Sequence, residues 1–168
     1  TKRKDQFVEK PPWILINLGN IYFNEGQILK AMEKYSSAEL NFGKLDDDLV
    51  RNRGLATTYN NMALVNIEMG KFKEALDLLD KALTIRQRGD KMSDIAHSYK
   101  SMCELYYKWN IPKKALKYEQ QVDSLFQFVR NHPEFSLDNS DWTASMDYSI
   151  LKSYVGNCSE YKADYYLV

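Results

Sequence analysis

The chain has 168 residues, with 23 lysines and arginines balanced by 23 aspartates and glutamates, so its formal net charge at pH 7 is zero. A chain of this length can bury roughly two thirds of its unfolded surface, which argues against disorder throughout, and its charge balance provides no long-range field for nucleic acid or anionic lipid. No apolar run approaches the roughly 18 residues of a membrane span. We therefore predict no direct nucleic-acid partner and no membrane insertion within this chain.

The first residues carry little regular pattern. Residues 1–11 are predicted to form an N-terminal extension. The sequence begins at Thr1 without a methionine and stops in the apolar letters YYLV, which leads us to expect a segment of a longer protein. From residue 12 onward, apolar residues recur at helical spacing, which predicts a series of helices.

Three turn residues divide this series into helix pairs. Gly26, Gly70 and Asn110 stand where a helix can end in a left-handed residue, and Pro112 can begin the next helix because no backbone N–H is needed there. The predicted pairs are 12–24 with 28–42, 50–69 with 72–87, and 94–109 with 112–128. Residues 12–128 are thus predicted to form an all-α array of three antiparallel helix pairs.

The three pairs are internal repeats. The segments LGNIYFNEGQILKAMEKYSSA, MALVNIEMGKFKEALDLLDKA and MCELYYKWNIPKKALKYEQQV align without a gap, and their shared alanines Ala31, Ala75 and Ala115 give offsets of 75 − 31 = 44 and 115 − 75 = 40 residues. One column holds only small or compact residues, namely Gly19, Ala63 and Cys103. A small side chain there allows two antiparallel helices to approach closely, so we interpret Cys103 as a packing residue.

These columns resemble the signature of the tetratricopeptide repeat. The first unit matches it at Leu18, Gly19, Tyr22, Ala31, Tyr35 and Ala38. The second matches at Ala63, Gly70, Ala75, Leu79 and Ala82, and the third at Tyr106 and Ala115 but not at Glu119 and Val122. The spacing exceeds the usual period of about 34 residues. It is similar to the longer-period variety of kinesin light chains and of bacterial signalling proteins.

The resemblance, which covers about residues 12 to 128, implies an α-solenoid with three clear repeats. Residues 129–141, which contain Pro133 and several Asn, Ser and Asp residues, are predicted to form a connecting loop. Residues 142–168 are predicted to form either a degenerate fourth helix pair or a segment that caps the last repeat.

The resemblance also implies a concave groove lined by the first helix of each pair. The residues that it assigns to a peptide-binding groove are Trp13, Asn17, Asn20, Asn24, Asn60, Asn61, Leu64, Glu68, His97, Lys100, Glu104, Tyr107 and Lys108. Asn17 and Asn61 share a repeat column, and an amide there can donate to and accept from a peptide backbone. The alternative is that these amides bond to the neighbouring helix. His97 is interpreted as a solvated helix residue.

One known kind of groove fits poorly. Tetratricopeptide domains that clamp a C-terminal carboxylate use two asparagines, which Asn20 and Asn61 match, together with basic residues. The basic places are occupied here by Ile16, His97 and Ser101. We therefore expect an apolar or mixed protein segment as the partner.

No catalytic chemistry is indicated. The sequence contains no Gly-rich phosphate loop, HExxH pair or Gly-x-Ser-x-Gly elbow, and we predict no catalytic residue, no metal site and no cofactor. Cys103 and Cys158 are interpreted as free thiols, which favours the cytoplasm, although a membrane-bound sensor would place this chain in the periplasm.

The predicted function is that of a non-catalytic protein-binding module, in the sensory or scaffolding region of a larger signalling or regulatory protein. The alternative is a structural module that forms a homodimer through its aromatic C-terminal segment, whose residues include Trp142, Tyr148, Tyr154, Tyr165 and Tyr166. An enzyme is the third hypothesis, but no paired base and nucleophile supports it.

Overall fold

A computed structural model describes residues 11–89 and 92–131, and six α-helices lie within these ranges. They are α1 (Pro12–Asn24), α2 (Ile28–Gly43), α3 (Asp48–Glu68), α4 (Phe72–Arg86), α5 (Met92–Lys108) and α6 (Pro112–Asn131). The predicted all-α fold of helix pairs is confirmed. Most of the predicted extension and loop, and all of the segment 142–168, lie outside the described residues.

The helices form a layered array. α1 packs on α2, α3 on α4 and α5 on α6, and the second helix of each pair also contacts the first helix of the next pair. α1 contacts α3 and α3 contacts α5, whereas among the described residues α2, α4 and α6 make no comparable contacts with one another. Because the array is closest along its first helices, these helices form the inner side of the curve.

Three helix ends differ from the prediction by two residues or more, and one of them is the start of α5, which lies at Met92 rather than at residue 94. α3 begins at Asp48, two residues before the predicted start, because the Asp47 carboxylate accepts a hydrogen bond from Val50 N at 3.0 Å and caps the helix. α6 continues to Asn131, so it extends three residues beyond the predicted end at Phe128 and into the predicted loop.

The turns within the pairs share one geometry. Gly26 and Gly70 have φ of 71° and Asn110 has φ of 61°, so all three adopt the left-handed conformation that their positions predicted. In each turn the following residue donates its N–H to the carbonyl oxygen five residues earlier, at 2.8 Å. This repeated bond satisfies a carbonyl that the helix end would otherwise leave without a partner.

The column of small residues lies at the helix contacts. Gly19, Ala63 and Cys103 are buried, which agrees with the packing interpretation of Cys103. A Cβ at Gly19 would lie 2.4 Å from Cε1 of Tyr35, so a larger residue there would force α1 and α2 apart.

A second close approach was not predicted. Gly54 on α3 lies against the fully buried ring of Phe42 on α2, and a Cβ at Gly54 would lie 2.2 Å from two atoms of that ring. This contact joins the first repeat to the second.

Candidate functional site

The predicted groove residues divide by exposure. Asn60 is fully buried and Tyr107 is 8% exposed, so both lie beneath the surface and their predicted place on the lining is corrected. The other eleven are exposed or half-buried and form what we call the inner face, namely Trp13, Asn17, Asn20, Asn24, Asn61, Leu64, Glu68, His97, Lys100, Glu104 and Lys108.

Two asparagines join α1 to α3 on this face. The Oδ1 atom of Asn20 accepts hydrogen bonds from Asn61 Nδ2 at 2.9 Å and from Tyr35 OH at 2.7 Å. The alternative that the amides of Asn17 and Asn61 bond to a neighbouring helix therefore holds for Asn61, whose partner on α1 is Asn20. Asn17 lies exposed one turn earlier on α1.

These two hydrogen bonds use only part of the hydrogen-bonding capacity of the Asn20 and Asn61 amides. An amide offers two N–H donors and an oxygen with two lone pairs, and the pair of bonds uses both lone pairs of Asn20 but only one N–H of Asn61. Asn20 Nδ2 and Asn61 Oδ1 can therefore bond to a ligand while the contact between the helices stays in place.

A charged cluster joins α3 to α5 further along the face. Lys108 forms an ion pair with Glu68 of α3, and its Nζ lies 3.9 Å from a carboxylate oxygen of Glu104 on α5. Lys108 and Glu68 have side chains that are 41% and 42% exposed, and such pairs are worth no more than about 1 kcal/mol. A charged ligand can therefore replace one member of the Lys108 and Glu68 ion pair at a small cost in free energy.

A cavity of about 430 Å³ opens at the end of the array where α1, α3 and α5 begin. Its lining comprises Trp13, Leu49, Asn52, Arg53, Ala56, Thr57, Ile85, Arg86, Arg88, Gly89 and Asp94. Trp13 is 38% exposed, and its ring meets Phe42 edge-on at a centroid distance of 4.8 Å, which fixes one wall of the cavity.

Polar bonds under the cavity hold one of its arginines. Arg86 donates from Nη1 to Ser98 Oγ at 2.9 Å and to Asn60 Oδ1 at 3.4 Å. The bond from Arg86 gives the buried Asn60 oxygen a partner, whereas Asn60 Nδ2 is buried without a hydrogen-bond partner among the described residues. The repeat resemblance assigned Trp13 and Asn60 to the groove, but it did not single out Ser98 or the arginines.

His97 is not a solvated residue, which corrects that expectation. It is half-buried, and this burial, followed by the nearby charges of Arg86 and Lys100, lowers its pKa to about 3. The imidazole is therefore neutral at pH 7. Among residues 11–89 and 92–131 no group of three or more His, Cys, Asp or Glu side chains could hold a metal ion.

Part of the chain matches a known protein family. Residues 54–122 match the family model described as tetratricopeptide repeat, and no curated protein matches the chain significantly. None of the helices in the described part of the chain is long and apolar enough to cross a membrane. The match runs from α3 into α6, which together carry two of the three pairs. Residues 54–122 therefore carry the tetratricopeptide repeat that this family model describes.

Proposed function

We propose that this chain is a non-catalytic module that binds an extended protein segment along the inner face, within the sensory or scaffolding region of a larger signalling or regulatory protein. Tetratricopeptide repeats generally bind proteins or peptides, and solenoids present extended concave surfaces for that purpose. The observation that carries the proposal is that each of α1, α3 and α5, which contact one another along the array, has accessible polar side chains among the residues of the inner face.

The polar groups suit a peptide backbone. An extended segment has a donor and an acceptor at each residue, and the amides of Asn17, Asn20 and Asn61 provide both kinds of partner. Leu64 is half-buried beside them and offers apolar contact to a side chain of the segment. The Glu68 and Lys108 pair lies further along the same path.

The test is a capture experiment with lysate from the source organism. We expect a partner that the wild-type chain retains and that the Asn17→Ala, Asn61→Ala double variant loses. A matched control is the Lys117→Ala, Gln120→Ala double variant, because both residues are exposed on α6, away from the inner face.

Native helicity of each variant is checked by circular dichroism. A partner that remains bound to the inner-face variant would contradict the proposal, since binding would then lie on another surface. Loss of the partner from both variants would contradict it as well.

A further inference from the structure

The cavity at the start of α1, α3 and α5 combines apolar walls with concentrated positive charge. Trp13, Leu49 and Ile85 provide apolar surface, while three arginines also line the cavity. Asp94 is the one acidic side chain among the described residues of this lining. The excess is notable in a chain whose formal net charge is zero.

Two of the arginines are placed to meet a ligand. Arg53 on α3 and Arg88, just after α4, are both exposed and both line the cavity. A guanidinium group binds a carboxylate through two parallel N–H donors, which makes arginine suited to acidic side chains. Arg86 is held against Ser98 and lies deeper in the lining.

The cavity has the size of an anchor site. Its volume of about 430 Å³ falls at the lower end of the range for pockets that enclose a compact ligand. An extended segment cannot be enclosed there as a whole, but one large side chain and its neighbours can. Trp13 belongs both to this cavity and to the inner face, so a segment on that face can continue into the cavity.

We propose that the cavity selects an acidic protein segment, in which an apolar side chain packs against Trp13 and flanking carboxylates pair with Arg53 and Arg88. The inference rests on the proposed function, because it names the class of segment that the inner face takes. It replaces the expectation of an apolar or mixed segment by one with a defined charge.

The experiment measures binding of three fluorescein-labelled peptides of ten residues by anisotropy. The first has one central leucine among aspartates and glutamates, the second replaces these acids by asparagines and glutamines, and the third replaces the leucine by serine. We expect the first to bind roughly tenfold or more tightly than either of the others. Its affinity should fall as salt is raised, because exposed charge pairs are screened.

Two charge-matched variants locate the site. The Arg53→Gln, Arg88→Gln double variant should lower the affinity of the acidic peptide by roughly tenfold or more. The Lys113→Gln, Lys117→Gln double variant removes the same charge from exposed positions on α6 and should leave the affinity unchanged. Circular dichroism verifies that both variants keep the helical fold.

Several outcomes would overturn the inference. Equal affinity for the acidic and amide peptides would show that charge plays no part in the binding. An equal loss of affinity in both double variants would show that the net charge of the chain, and not the cavity, attracts the acidic peptide. Binding of the amide peptide that disappears in the Asn17→Ala, Asn61→Ala variant would refute the acidic preference while supporting the proposed function. If no peptide binds, the inference falls and the capture experiment alone decides the proposed function.

Discussion

At the scale of single residues, His97 gives the chain a defined pH response. Its pKa is lowered from 6.5 to about 3 by burial and then by Arg86 and Lys100, so between these values the unfolded chain binds a proton that the folded chain does not. The free energy of unfolding must therefore fall as the pH is lowered through this range. Between pH 6.5 and 5 we expect a loss of up to about 2 kcal/mol from this group.

The measurement compares urea unfolding of the wild-type chain and of His97→Gln at pH 7, 6 and 5. Glutamine does not titrate, so the variant should lose less stability than the wild type over that interval. The difference between the two slopes isolates the histidine from the carboxylates, which both proteins share. Parallel slopes would show that His97 takes up its proton in the folded chain.

Sequence reasoning located residues around a helix better than it identified their partners. The repeat columns put Asn20 and Asn61 on one face, but the hydrogen bond between them depends on how far α1 is shifted along α3, which no column records. Asn60 stands next to Asn61 and shares its residue type, yet it is fully buried. Successive side chains of a helix point in different directions, so the step from Asn61 to Asn60 along α3 takes the side chain from the inner face into the buried layer.

At the scale of helices, the contact between α2 and α3 depends on Gly54. Its Cα faces the ring of Phe42, and a methyl group there would lie within 2.5 Å of three ring atoms, including Cγ near the backbone. The ring is fully buried and cannot turn away freely, so the helices must separate. We expect Gly54→Ala to lower the free energy of unfolding by about 1–3 kcal/mol.

The control is Gly43→Ala, at the last residue of α2, where a Cβ would meet no atom within 4 Å. Alanine is the better helix former, so this variant should be as stable as the wild type or more stable by up to about 1 kcal/mol. Both are measured by urea unfolding. A stable Gly54→Ala variant would mean that α2 and α3 can separate without cost.

The helices themselves could be predicted largely because turn chemistry is local. Gly26, Gly70 and Asn110 mark left-handed ends whose cause lies in the residue type, and the structure has the left-handed conformation at all three. The start of α3 was predicted less well, because several aspartates in succession offer more than one cap and only Asp47 is used. Gly54 lies outside the aligned segments, so the repeat comparison gave no signal for it.

At the scale of the whole molecule, the sequence repeat predicted the solenoid but not the cavity. Arg53, Arg86 and Arg88 come from the start of α3, the end of α4 and the turn that follows. No shared column links these positions, and they meet only because antiparallel helices bring the end of α4 beside the start of α3. Composition did not indicate this local cluster of arginines either, because the formal charges of the chain sum to zero.

The state of assembly separates the two functions that the sequence left open. A protein-binding module needs no second copy, whereas self-association through residues 142–168 requires a stable dimer. Light scattering of the full chain and of a chain ending at Asn131 distinguishes them, and Asn131 is chosen because α6 ends there. We expect both chains to have the mass of a monomer at micromolar concentration, since the inner face that we propose for binding lies within residues 12–131. A full chain of twice that mass, which becomes monomeric on truncation, would instead assign residues 142–168 to self-association.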